Sequence, residues 1–199
     1  SRGTWIGARA DGAFAALLNG YLETVEQPKP AGARSRGEII PAVLGENREV
    51  EGLDLEKYAS FRLIQLKPGM AEPLHDFWDG KTLHRFGMEW FQDSEGCADW
   101  TIISSSSWRQ ENVLAYRKEL FQAWLSQGAP HEGWLPTFHT IQEPGREREA
   151  PLMARPHAQT QSITQIYQSP GHRPRMNYWP HPMAEPPQDS APVSVEMPE

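Results

Sequence analysis

The chain has 199 residues, 38% hydrophobic and 23% charged, enough for one domain with a core or one domain plus a tail. Its formal net charge of −7, without any block of Lys or Arg, weighs against nucleic acid, because phosphate binding needs a basic face. No apolar stretch reaches the length of a membrane span, no signal peptide is visible, and a single cysteine, Cys97, excludes an internal disulfide, so a reducing, cytoplasmic setting is expected.

Along the chain, residues 4–7 read as a strand, 8–12 as a turn and 13–19 as the returning strand. Asp11-Gly12 is a hairpin signal, since both residues tolerate positive φ; as a two-residue loop it sets Thr4 opposite Asn19. The hairpin barely alternates in polarity, which predicts cover on both faces and a place in the middle of a sheet. A Pro-Gly loop follows at 27–33. Ser35-x-x-Glu38 has capping-box spacing for a short helix closed by Gly45, and Pro41 predicts that this helix is kinked or starts late. Residues 53–58 fit another helical turn, and 61–66 a buried strand. Two strands, 74–78 and 81–86, flank Asp79-Gly80, a second hairpin signal.

Residues 100–104 predict a strand that runs into the serines at 104–107. Ser107-x-x-Gln110 would cap the longest helix, whose stripe contains Val113, Leu114, Leu120, Phe121, Trp124 and Leu125 and which Gly128 ends. Phe121 and Trp124, three apart, are expected to seat that helix on a sheet. Residues 130–156 read as a long irregular connection, and 159–167 with 176–179 as the last hairpin. The body thus spans 1–179, and 180–199, Pro-rich and acidic, is expected to be an unpacked tail. Hairpins with one long helix define an α+β class with mostly antiparallel sheets.

The order of motifs is more specific than any one of them: GTWIG, a turn, FAALLN, SRG at 35–37, a serine run before a long helix, FHT at 138–140 and SITQI at 162–166. In this order the chain resembles the bacterial NRDE proteins, relatives of the transport-and-Golgi-organisation 2 family. The resemblance implies an N-terminal-nucleophile hydrolase fold, an αββα sandwich with two central sheets between helical layers. It also implies a mechanism in which an N-terminal cysteine thiolate attacks an amide carbonyl with its own α-amino group as base. In the family that cysteine and an Asn-Arg-Asp-Glu motif precede GGTW. Here neither is present and Arg2 replaces the usual Gly, so the expectation is a fragment or divergent member, inactive as given. Asn19 matches the family asparagine that donates to the oxyanion, and Thr4, Ser104 and Ser105 fall where substrate contacts are implied. The rival is a binding or carrier protein for haem or a lipid-like ligand; a small molecule is the expected partner, and no cofactor is implied.

Other candidates are weaker. Ser1 could act as a terminal nucleophile, but the alignment of GTWIG makes it an internal position. Cys97 lies in a polar loop with no nearby base. The serine run lacks a G-x-S-x-G context and reads as a strand end plus cap. If Asp79-Gly80 is the loop, His75 faces His84 across the strands; two imidazoles do not close a metal site, so no metal is assigned. His139, His157, His172 and His181 are scattered without ligand spacing.

Overall fold

A computed structural model of the chain describes residues 5–21, 32–93, 96, 99–128, 135–169, 171–184 and 191–196. Two compact units emerge, one from Ser1–Met88 with Ser105–Gln110, the other from Glu89–Ser104 with Glu111–Glu196.

The first unit is built on an antiparallel five-stranded sheet in chain order: β1 (Ile6–Ala8), β2 (Phe14–Asn19), β3 (Phe61–Leu66), β4 (Leu74–Trp78) and β5 (Leu83–Phe86). Alternation sends Ala15, Leu17, Phe61, Leu63 and Trp78 to one face. There they join Ile39, Ile40, Val43, Val50 and Tyr58, from the connection between β2 and β3, in a buried core. That connection is helical in pieces: a 3-10 turn at Arg36–Glu38, a wide turn at Pro41–Gly45, and 3-10 turns at Val50–Gly52 and Leu55–Lys57. Pro41 has no N–H to continue an α-helix, and the chain widens there until Glu46 N–H reaches the Pro41 carbonyl at 3.2 Å. The expectation of a helix kinked at Pro41 or starting late is answered by a wide turn that begins at Pro41 itself. The capping box is half made: Ser35 Oγ accepts from Gly37 N–H at 3.3 Å, while the Glu38 carboxylate turns to Arg34.

Both hairpins differ in register from the sequence expectation. In the first, Ile6 pairs with Ala16 and Ala8 with Phe14, Arg9 N–H donates to Ala13 O at 2.8 Å, and Gly12 sits at φ 89°. The loop is therefore residues 10–12, a three-residue turn with its glycine in the left-handed position, and the register that would oppose Thr4 to Asn19 does not form. Asp11 prefers to accept from Ala13 N–H, at 3.1 Å, rather than share a two-residue loop. β1 lies at the edge of the sheet, not in its middle, with Trp5 beside it 45% exposed and Phe14 half-buried. In the second hairpin, Trp78 pairs with Leu83, and Gly80-Lys81 forms the loop with Gly80 at φ 101°. Asp79 lies before the loop because its carboxylate accepts from both Lys81 and Thr82 N–H at 2.7 Å. That shift places His75 opposite Phe86 and His84 opposite Phe77, so the expected histidine pair does not form.

The second unit contains a short ribbon of β6 (Phe91–Gln92) with β7 (Asp99–Trp100), the helix α1 (Gln110–Leu125, all but its first residue), and the one-turn helix α2 (Leu135–His139). A second ribbon pairs β8 (Ala154–Arg155) with β9 (Ala158–Gln159), and a three-stranded sheet contains β10 (Ser162–Tyr167), β11 (Arg175–Pro180) and β12 (Val193–Glu196). Phe121 and Trp124 are buried as expected, but against Phe138 of α2 and the ribbon residues Phe91 and Trp100, with centroids 5.1–6.3 Å apart. The strand expected at 100–104 is confined to Asp99–Trp100. Ser107 does not start α1; Arg109 at φ 43° immediately precedes it, and Ser106 Oγ accepts from Trp108 N–H at 3.2 Å. The expected unpacked tail is corrected at Val193–Glu196, which pairs antiparallel with β11.

Together the units make a mixed α+β chain with antiparallel sheets and few helices. Among the described residues no helix is long and apolar enough to cross a membrane.

Candidate functional site

The end of β2 is fixed by close backbone packing. Asn19 pairs with Phe61, and Gly20 N–H donates to Ser60 O at 2.9 Å, while Ser60 Oγ donates to Gly20 O. A Cβ on Gly20 would stand 2.7 Å from the Phe61 nitrogen and 2.8 Å from Phe77 Cε2, so only glycine lets the strands approach this closely.

Immediately before that glycine, the Asn19 amide donates through Nδ2 to the Tyr21 hydroxyl at 3.0 Å. Its Oδ1 is buried and has no partner among the described residues. Because a phenol both donates and accepts, the reversed amide keeps the Tyr21 bond and presents Nδ2 at the open position instead. Either way, one half of the Asn19 amide has no partner among the described residues.

Arg36 stands beside this strand end. Its Nη1 donates to Ser60 O at 2.7 Å, and its guanidinium lies 5.7 Å from the Trp5 ring centroid. Burial pushes its pKa below the usual arginine value, with Tyr21 acting in the opposite sense. No carboxylate within ion-pair distance neutralises it among the described residues. Gln110 Nε2 donates to Tyr21 O at 3.0 Å and fixes the segment that carries the phenol. The arrangement combines an amide, a half-buried cation and an indole wall, suited to a ligand with a carbonyl or negatively charged oxygen.

Of the residues singled out from sequence, Asn19 belongs to this constellation. Thr4, Ser1 and Cys97 lie outside the described residues. Ser104 falls in the second unit, where its Oγ accepts from Arg117 at 2.8 Å; Ser105 is in the first unit, with its bonds already engaged. His84 is bound to Asp79 at 2.9 Å and His75 to Arg62 at 3.2 Å. No group of three or more His, Cys, Asp or Glu among the described residues is placed to hold a metal ion. The residues that sequence reasoning passed over are Arg36 and Tyr21. The SRG motif was the signal for Arg36, but nothing local in the sequence indicates that its guanidinium reaches a carbonyl 24 residues away.

The fold and site define an α+β protein with a side-chain amide and a guanidinium at one strand end. Residues 1–77, which contain Asn19, Tyr21 and Arg36, match the family model for Transport and Golgi organisation 2. No curated protein and no solved structure matches it.

Proposed function

We propose that the end of β2 recognises the carbonyl of a carboxamide or related acyl group, in the manner of the oxyanion side of an N-terminal-nucleophile amide hydrolase. The observation that carries this reading is the Asn19 amide, held by Tyr21 on one side and without a partner among the described residues on the other. A buried amide with one free half loses its hydration on folding and regains a bond only when a ligand supplies one. Arg36 adds positive charge where an acyl oxygen would gain negative charge, and partial burial strengthens that interaction.

Hydrolysis needs a nucleophile next to a base. In the first unit Ser35 Oγ accepts from Gly37, Ser60 Oγ donates to Gly20 O, and Ser106 Oγ donates to Trp108 O. None of these bonds joins a hydroxyl to an imidazole or an amine. The reading proposed is recognition, with no turnover assigned to these described hydroxyls.

The test is titration of the chain with N-acyl amides, followed through the Asn19 side-chain NH2 resonances, with chromatography for product. The expected result is a saturable shift at Asn19, binding weakened about five- to tenfold in Asn19→Ala, the loss of roughly one hydrogen bond, and no product. Unmoved Asn19 resonances would remove the recognition reading, and product formation would remove the expectation of no product.

A further inference from the structure

The sheet of the first unit has a second face, opposite the core. Its register sets Arg62, Phe77 and His84 in one cross-strand row and Ile64, His75 and Phe86 in the next. Arg62 has no described carboxylate partner. Its Nη1 lies 3.2 Å from His75 Nε2, and its guanidinium covers Phe77 with Cζ 4.3 Å from the ring centroid. Since a guanidinium only donates, His75 Nε2 accepts and the imidazole carries its proton on Nδ1. The neighbouring acids are occupied: Asp76, on the other face, is held by Arg85 at 2.7 Å and Gln65 at 3.2 Å, and Asp79 by His84. Although the chain has 26 acids against 19 Lys and Arg, Arg62, like Arg36, is half-buried with no acid beside it among the described residues.

Beside it, the rings of Phe77, His84 and Phe86 form a triangle with sides of 6.2, 6.2 and 6.4 Å, and their planes lie within 33° of one another. Phe77 is buried and carries the Arg62 guanidinium over its ring, so a flat group laid parallel to the cluster meets Phe86 and His84. Phe86, on the edge strand β5, is 46% exposed, so the cluster opens to solvent at that end.

We propose that Arg62, seated on Phe77, forms with His84 and Phe86 a second binding site, for a small carboxylate carried on a flat apolar body. The guanidinium would take the carboxylate through donors not used on His75, and the rings would take the body. The site is separate from the one at Asn19: Leu18 pairs with Arg62 while Asn19 pairs with Phe61, which puts the two on opposite faces of the sheet.

The probes are 2-naphthoate and neutral 2-naphthylmethanol, titrated into the whole chain while the backbone amides of residues 84–86 and Arg62 Nε–H are followed by NMR. Naphthoate is expected to move these resonances and to bind at least about tenfold more tightly than the alcohol. Arg62→Gln should abolish that preference. Phe86→Leu, at an exposed edge position where folding is not at stake, should weaken both probes several-fold while leaving the preference intact. Equal affinities for the two probes would overturn the proposal, as would a Phe86→Leu chain that binds naphthoate like the parent. Shifts confined to Asn19 and Arg36 would also overturn it, placing the carboxylate at the first site.

Discussion

A methyl group on Gly20 would press on backbone atoms of the adjacent strand, which cannot yield as a flexible side-chain end can. Gly20→Ala is therefore expected to cost about 1–3 kcal/mol in chemical denaturation, as overpacking does elsewhere, and to disturb the Asn19 resonances with it. His75 supplies a second residue-level test. Burial, then the positive charge of Arg62, hold its pKa below the ordinary 6.5, with Asp76 opposing. Between the lowered folded value and 6.5 the unfolded chain binds more protons than the folded one, so stability rises with pH through that window. It is complete above 6.5 and lost progressively on acidification below it. Melting temperatures from pH 7 down to pH 5 should fall more steeply for the parent than for His75→Phe, which keeps a ring opposite Phe86 but cannot titrate.

The long helix is held by aromatic packing more than by its own propensity. Trp124, 3% exposed, packs on Phe121 and Phe138, and its Nε1 donates to Thr137 Oγ1 at 3.1 Å. Trp124→Ala is expected to cost about 3–5 kcal/mol, read from urea midpoints at constant slope. A loss near zero would mean that the ring is not the anchor. Much at this scale was legible in the sequence. β3 follows the expected bounds because a run rich in apolar residues leaves few alternatives, and Phe121 with Trp124 were found by helical spacing. The hairpins were recognised but misregistered, because Asp-Gly can be the loop itself or can straddle its boundary, and the choice rests on side-chain bonds such as those of Asp79. β12 was missed since four residues inside a Pro-rich acidic stretch leave too short an alternation to stand out. Asn19 follows from the motif order, whereas Arg36 is tied to the site only by its bond to Ser60 O, and Tyr21 by its bond to Asn19.

At the scale of the whole molecule, charge gives the clearest expectation. With a formal charge of −7 at pH 7 and a sequence pI of about 5.5, mutual repulsion between molecules vanishes on mild acidification. Solubility should pass through a minimum near pH 5.5 and recover on either side; ammonium sulfate midpoints across pH 4.5–8 provide the measurement. Exposed apolar groups such as Val193, Val195 and Tyr178 on the three-stranded sheet make that loss of repulsion more consequential.

The three-stranded sheet also contains a row of polar contacts across its strands. Gln165 pairs with Asn177 and Asn177 with Ser194; Asn177 Nδ2 donates to Gln165 Oε1 at 3.1 Å, and Ser194 Oγ to Asn177 Oδ1 at 2.8 Å. Val193 and Val195 are interchangeable to the eye of hydrophobic packing, but Ser194 is not. A slip of β12 by two positions would bring Pro192 or Glu196 to Asn177, one with no side-chain donor and the other an anion facing the amide oxygen. The serine thus works as a checksum: a four-residue strand too short to find its alignment by apolar contact has it verified by a single hydroxyl.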